Sequence, residues 1–321
     1  MLSRRDLLIA GLAVGCQPAV PLRETELGST LPDREIDEIV DPPPRHWVGD
    51  GFFVAGYFSR VRDAAQRLSP FVLLDYHPVH TYTPTDTPRG VGVHPHRGFE
   101  TVSIAWEGSI AHHDSTGSGG VIGPGDVQWM TAGGGILHKE YHEREYAKRG
   151  GSFHMAQLWV NLPKVHKLHP PRYQPITSAQ IAEVPLTQSA GVVRVIAGEY
   201  QGVAGPAQTF TPINLYDARV NAGKTLEMNF ASHQTLAILV MKGSGVFNEV
   251  AQVATDQLVL FKRQGERVSF TADADTQLLV LNGDPIDEPV AKRGPFVMNT
   301  SEELDQAYSD FRSGKFGTLA D

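Results

Sequence analysis

From His46 onward the chain is punctuated. Short runs of aliphatic, β-branched and aromatic residues are separated by Gly, Pro, Asp and Asn, and no long helical period intervenes. "GFFVAGYF", "FVLLDY", "TVSIAW", "DVQWM" and "QLWVNL" form a first series; "VVRVIAG", "INLYDARV", "LAILVMKGSG" and "QLLVLNGD" form a second, after residue 190. Runs this short and this regularly spaced predict an all-β chain built as antiparallel sandwiches or barrels. Both series carry apolar residues into a Gly-Ser turn, "IAWEGSI" in one and "LVMKGSGV" in the other. The shared style predicts a duplicated architecture: one barrel over 46–175, a second over 190–316, and a Pro-rich join, "HPPRYQPITSAQIAEVP". A length of 321 residues suits two domains of ordinary size.

One helix is expected, near the end. Thr300 and Glu303 form a capping box, Leu304, Ala307, Tyr308 and Phe311 repeat with helical spacing, and Gly314 supplies the stop. The apolar stripe predicts packing against a barrel.

Composition narrows the function classes. Charged residues are 20% against 41% apolar, so the chain folds. A net charge of −8 leaves no basic stripe for a phosphate backbone and argues against nucleic-acid binding. The single cysteine, Cys16, excludes disulfides and thiolate zinc sites within the chain. Of the 13 histidines only His233 lies beyond residue 170, so histidine chemistry belongs to the first half.

Residues 1–16, "MLSRRDLLIAGLAVGC", read as an export signal: Arg4 and Arg5 precede an apolar run far too short to span a bilayer. "SRRDLL" resembles the bacterial twin-arginine signal, with Leu7 in place of the usual Phe. "AVGC" resembles a lipoprotein processing box, with Ala13 where Leu is usual, which makes Cys16 the candidate for lipidation. Acyl chains there would hold a soluble domain at the periplasmic face of a membrane without a spanning helix. Residues 17–45, acidic and Pro-rich, are expected to form an extended tether.

The chemistry-bearing residues lie in two short stretches. In a strand, side chains at i and i+2 share a face, about 6.6 Å apart, so His94 and His96 of "VHPHRGFE" point the same way. Pro95 between them predicts an edge strand, a strand start or a bulge. His138 and Glu140 of "ILHKE" have the same spacing. Together they would offer three imidazoles and one carboxylate to Fe(II), and equally to Mn, Ni, Co, Cu or Zn, with two coordination positions open. Glu100 shares the parity of His94 and competes as the carboxylate. His112 and His113 in "AHHDS" read as solvated loop residues, His142 as a surface residue, and Asp126 of "GPGDVQW" as a turn residue. The glycines of "TAGGGILH" would let backbone pass close to the site.

"HPHRGFETV", "PGDVQWMTAGGGILHKE", "QLWVNLP" and "GPFVMNTSEE" occur in an order and at spacings that resemble the pirin family of the cupin superfamily over roughly residues 46–316. That resemblance implies two tandem cupin barrels, jelly-roll-like and facing each other, with one mononuclear metal, generally iron, in the first barrel only. It assigns the ligands to His94, His96, His138 and Glu140, removes Glu100 from the set, and marks Gln157 as a pocket candidate. The chain departs from the family at Gly134, where pirins usually carry Arg, and in the longer connection "YHEREYAKRGGSFHMAQ". Two functions follow as expectations. One is a quercetinase-type dioxygenase in which a flavonol- or enediol-like substrate meets dioxygen at the metal and Glu140 accepts the substrate's proton. The other is a non-catalytic, redox-sensing module with a protein partner in the cell envelope. A cupin scaffold with a vestigial site is the reading that four intact ligands favour least.

Overall fold

Along the strand Phe99–Glu107, Val102, Ile104 and Trp106 point to one side, and Ser103 and Ala105 to the other. This alternation gives the central strands of the large sheets two buried faces, whereas the small sheets bury one face and turn the other outward, as along Thr225–Asn229. The structure is a computed structural model that describes residues 31–320. The expected export signal and Cys16 lie outside the described residues.

Two barrels are present, each made of one seven-stranded and one four-stranded antiparallel sheet. In the first, the large sheet runs in the order Arg172–Ile176, Val127–Thr131, Phe99–Glu107, Gly151–Asn161, Phe71–Tyr82, Phe52–Gly56, Arg45–Val48. The small sheet runs Gly90–His96, Ile136–His142, Ile110–Asp114, Gly119–Ile122. The second barrel repeats the plan with sheets built around Thr235–Lys242 and Arg267–Ala272. The chain changes barrel between Arg172–Ile176, which pairs in the first, and Ala182–Pro185, which pairs in the second.

The two large sheets pack face to face. Leu74, Val102, Trp129 and Leu158 of the first meet Leu215, Leu239, Met241 and Leu281 of the second in one continuous apolar cluster. A polar knot spans the join as well: Asp217 accepts hydrogen bonds from Trp106 Nε1 (3.1 Å), Arg194 Nη1 (3.1 Å) and Gln277 Nε2 (2.8 Å).

The barrels differ inside. The second is filled by Val195, Tyr216, Met228, Phe247, Phe270 and Val280, among others. The first is apolar only at one end, around Phe52, Tyr82 and Phe153, and polar toward the other.

Both ends of the described chain cross over, and for residues 33–40 this corrects the tether expected over 17–45, whose residues 17–30 lie outside the described part. Residues 33–40 do not extend into solvent: Ile36–Val40 pairs with Leu258–Phe261 as the edge strand of the second barrel. Arg34 is fully buried, its guanidinium donating to the carbonyls of Lys262, Ala231, Ser232 and Gln234. An acidic, Pro-rich composition concealed an amphipathic strand in "IDEIV" and one buried cation. At the other end the helix Ser301–Arg312, with the expected capping box at Thr300 and Glu303, closes onto the first barrel. Leu304, Ala307 and Tyr308 pack with Phe296, Phe316 and Leu137. Among the described residues no helix is long and apolar enough to cross a membrane.

Candidate metal centre

Gly90–His96 is an edge strand, hydrogen-bonded only to Ile136–His142 within its sheet. This is why Pro95, which has no N–H to donate, is tolerated there. The register sets His138 opposite His94 and Ile136 opposite His96. It then slips, so that Glu140 faces Val91 and the edge strand carries an extra residue. The expected irregularity around Pro95 is therefore a bulge on the N-terminal side of His94.

The three imidazoles converge. Ring centroids lie 4.8 Å apart for His94 and His96, 4.1 Å for His94 and His138, and 4.7 Å for His96 and His138. His94 Nδ1 donates to Gly92 O at 2.8 Å and His96 Nδ1 to Pro295 O at 3.2 Å. These contacts place the donor at Nδ1 of both rings and leave Nε2 as the nitrogen available to a cation. His138 Nε2 is buried without a hydrogen-bond partner. Burial holds the pKa of His96 and His138 well below the usual imidazole value, and the neighbouring imidazoles push in the same direction. They are neutral and have no proton to lose before binding a cation.

Glu140 is held from two sides. Its Oε1 accepts from Ser103 Oγ (3.1 Å) and Gln128 Nε2 (2.9 Å), and its Oε2 from Gln157 Nε2 (2.7 Å). Potential ligand atoms of His94, His96 and His138 lie within 4.8 Å of one another, as do those of His112, His138 and Glu140, so His138 joins the two groups. An orphaned buried imidazole nitrogen, two more imidazoles with free Nε2 and a carboxylate fit one divalent ion with nitrogen and oxygen preference.

Glu100 is elsewhere. The chain turns a corner at Gly98, whose φ of +87° and whose approach to Val297 O, 2.0 Å from where a Cβ would sit, only glycine accommodates. The corner moves the chain from the small sheet to the large one and breaks the parity counted from His94. Glu100 consequently shares the face of Val102, between the barrels, with Thr131 Oγ1 donating to it at 2.6 Å. Burial raises its pKa to about 7.

Gln157, the pocket candidate, lines the cavity beside the histidines and touches Glu140 directly. That cavity has a volume of about 270 Å³ and is walled by Phe52, Val54, Ile110, Met155 and Trp159, with Asp75 as its second carboxyl group. Asp75 sits opposite Gln157 on the adjacent strand, and burial raises its pKa to about 6.

Two histidine expectations are corrected. His112 is not solvated: it lies in the strand Ile110–Asp114, fully buried, with Nδ1 3.3 Å from His138 Nδ1. Its i,i+2 spacing to Asp114 in "AHHD" was the available signal, masked by the surrounding glycines. His113, one position on, takes the outer face and stacks on Tyr141. His142 is also buried, inside the aromatic end of the barrel against Tyr82 and Phe153, with Nε2 donating to Gly51 O at 2.9 Å. Asp126 is the turn residue expected, accepting from Gly123 N and Ser178 N. The glycine run lets backbone pass His169 O at Gly133 and the Phe316 ring at Gly135. Gly134 O accepts from Arg97 Nε, and Arg97 in turn binds Asp310 of the C-terminal helix at 2.9 Å.

The pirin domain pattern matches residues 53–160, and the pirin C-terminal cupin domain pattern matches 215–317. The chain belongs to the pirin family. Among its relatives is a Pseudomonas aeruginosa protein named "Putative quercetin 2,3-dioxygenase", 50% identical over 85% of this chain and 94% of that one. Pirin-like protein 2 of Arabidopsis thaliana is 36% identical over 84% of this chain and 81% of its own. Among solved structures, a quercetin 2,3-dioxygenase from Acinetobacter baumannii is 44% identical, with a TM-score of 0.86 over 89% of this chain and 99% of that one. A pirin fold with one packed barrel and one hollow, histidine-lined barrel accounts for the chain's asymmetric histidine distribution.

Proposed function

We propose that this pirin is a metal-dependent dioxygenase of the quercetinase type. It acts on flavonol- or enediol-like substrates, with His94, His96, His138 and Glu140 holding one Fe(II) ion. The observation that carries the reading is the apolar cavity of about 270 Å³ that opens on His94, His96 and Glu140. Its size is near the lower end of small-molecule sites. The names borne by the Pseudomonas and Acinetobacter relatives support the same substrate class.

When bound, the ion supplies Lewis acidity that lowers a substrate hydroxyl's affinity for its proton, and open positions for substrate and dioxygen. The protein supplies the rest. Phe52, Met155 and Trp159 offer flat and polarisable surface to aromatic rings and keep water out. Glu140 is the acceptor of the substrate's proton. Gln157 Nε2 donates to Oε2 at 2.7 Å and so orients the carboxylate toward the cavity that both residues line. Asp75, opposite Gln157 on the adjacent strand, offers the substrate a second polar contact on the cavity wall.

The test loads the protein separately with Fe(II), Mn, Ni, Co, Cu and Zn, and follows oxygen uptake and bleaching of quercetin and of simpler enediols. Oxygen consumption matched to substrate loss supports the reading. Metal-loaded protein that consumes no oxygen with any of them overturns it and leaves a binding module with an envelope partner.

The reading extends to location: export through the twin-arginine route, acylation of Cys16, and attachment at the periplasmic face. Cys16→Ser is expected to abolish lipid labelling and release the protein from membranes; an unprocessed cytosolic product sinks this part.

A further inference from the structure

We propose that Asp114 and His112 are positioning residues that fix the tautomer of His138 and so present its Nε2 lone pair to the metal. The inference rests on the metal-centre reading above.

It follows from proton bookkeeping. His112 Nδ1 and His138 Nδ1 face each other at 3.3 Å, so one carries a proton and the other a lone pair. His112 Nε2 faces Asp114 Oδ2 at 3.4 Å. The other oxygen of Asp114 accepts from Thr116 N (2.8 Å), Thr116 Oγ1 (2.6 Å) and Ser118 N (3.2 Å), an arrangement that stabilises a carboxylate. A carboxylate can only accept, so His112 Nε2 carries a proton; and because His138 Nε2 is buried with no acceptor for an N–H, the proton shared between the rings sits on His138 Nδ1 and is accepted by the lone pair of His112 Nδ1. That leaves the buried Nε2 of His138 bare among His94 and His96.

The opposite assignment sets a lone pair against the Asp114 carboxylate and leaves an N–H at His138 Nε2, buried with no acceptor. Both are costly in a site that excludes water.

The fold builds the chain of contacts deliberately. His112 and Asp114 share a face of one strand, directly across from Glu140 and His138 on the next. The His112 ring is stacked on Tyr173 with centroids 5.1 Å apart and planes inclined by 15°, and Tyr173 in turn donates to Gln128, which holds Glu140. Tautomer and orientation of the ligand are thus set by groups that never touch the ion, an arrangement that also makes the ligating nitrogen more basic.

The test measures Co(II) affinity by chelator competition in the full chain, and imidazole tautomers in metal-free protein by long-range ¹H–¹⁵N correlation. Asp114→Asn keeps an oxygen for Thr116 and Ser118 but removes the charge that orients His112. Asp114→Asn and His112→Phe are each expected to weaken Co(II) binding by about 10–100-fold. The double variant should bind no more weakly than His112→Phe alone, since Asp114 acts through His112. The parent should show His138 protonated at Nδ1, and Asp114→Asn should shift population to Nε2.

Parental affinity in Asp114→Asn together with an unchanged tautomer overturns the inference. So does loss in His112→Phe without loss in Asp114→Asn, which would make His112 a ligand through Nδ1. A parent that binds no Co(II), Fe(II) or Zn(II) overturns the metal-centre reading itself, a result distinct from either.

Discussion

At the scale of single residues, the candidate centre is defined as much by what surrounds the carboxyl groups as by the histidines. Glu140 and Asp75 share a cavity, yet one has three donors and the other has no hydrogen-bond donor on either oxygen among the described residues. Gln157→Leu removes the shortest of the three contacts to Glu140, and metal affinity should fall about 10-fold, read by chelator competition. Asp75 allows a test with a definite sign. Burial raises its pKa from the usual 3.8 to about 6, so between those values the folded protein holds a proton that the unfolded chain has lost. Its carboxyl therefore costs no stability below about pH 4, and progressively costs it as pH rises through 6. Asp75→Asn should stabilise the protein by up to about 3 kcal/mol at pH 7 and by nothing near pH 3.5. Urea midpoints at the two pH values check this; an Asn variant that is less stable at pH 7 contradicts it.

At the scale of elements, the two crossing ends matter most. The C-terminal helix touches the strand that carries His138 through Leu137, and the turn after His96 through Arg97 and Asp310. Pro295, just before the strand Phe296–Met298, supplies the carbonyl that orients His96. The segment that follows the last strand of barrel two thus returns to build part of the wall of the site in barrel one. Thr300→Ala removes the acceptor for Glu303 N and half of the capping box, and should cost about 1 kcal/mol. The loss is measured as a lowered denaturant midpoint. Faster amide exchange in Leu304 and Ala307 should accompany it, with exchange in the second barrel unchanged.

At the scale of the whole molecule, a buried histidine population makes stability depend on acid. His77, His142 and His154 each have their pKa lowered to about 4, burial being the leading cause in all three. Unfolding exposes them, so from about pH 6.5 down to 4 the unfolded chain takes up protons that the folded one refuses. The stability contributed by the neutral rings is complete above pH 6.5 and is lost as pH falls through 4, about 3 kcal/mol for each. His154 hydrogen-bonds Tyr76 beside the apolar join of the barrels, while His77 and His142 sit in the aromatic end of the first. Protonation therefore attacks the join and the first barrel together. Denaturant midpoints should drop steeply from pH 6.5 to 4.5, with two to three protons taken up per molecule unfolded; a flat profile would remove these rings from the account.

The sequence by itself determined the all-β class, the duplication and the capped terminal helix, and its local periodicity brought forward His94, His96 and His138 with two competing carboxylates, between which the family resemblance chose Glu140. Strand alternation puts residues two apart on one face, and a capping box needs four consecutive residues. What lay between elements was not written there. Glu100 left the site because a glycine corner resets the alternation, and no count along the chain registers a change of sheet. His112 entered it because a strand partner brings it to His138, although its neighbours in sequence look like loop. Residues 33–40 read as tether because a lone edge strand is unremarkable until its partner, more than two hundred positions away, is known. Long-range pairing is where the chain pays its loop-closure entropy, and only the folded backbone records which pairs repay it.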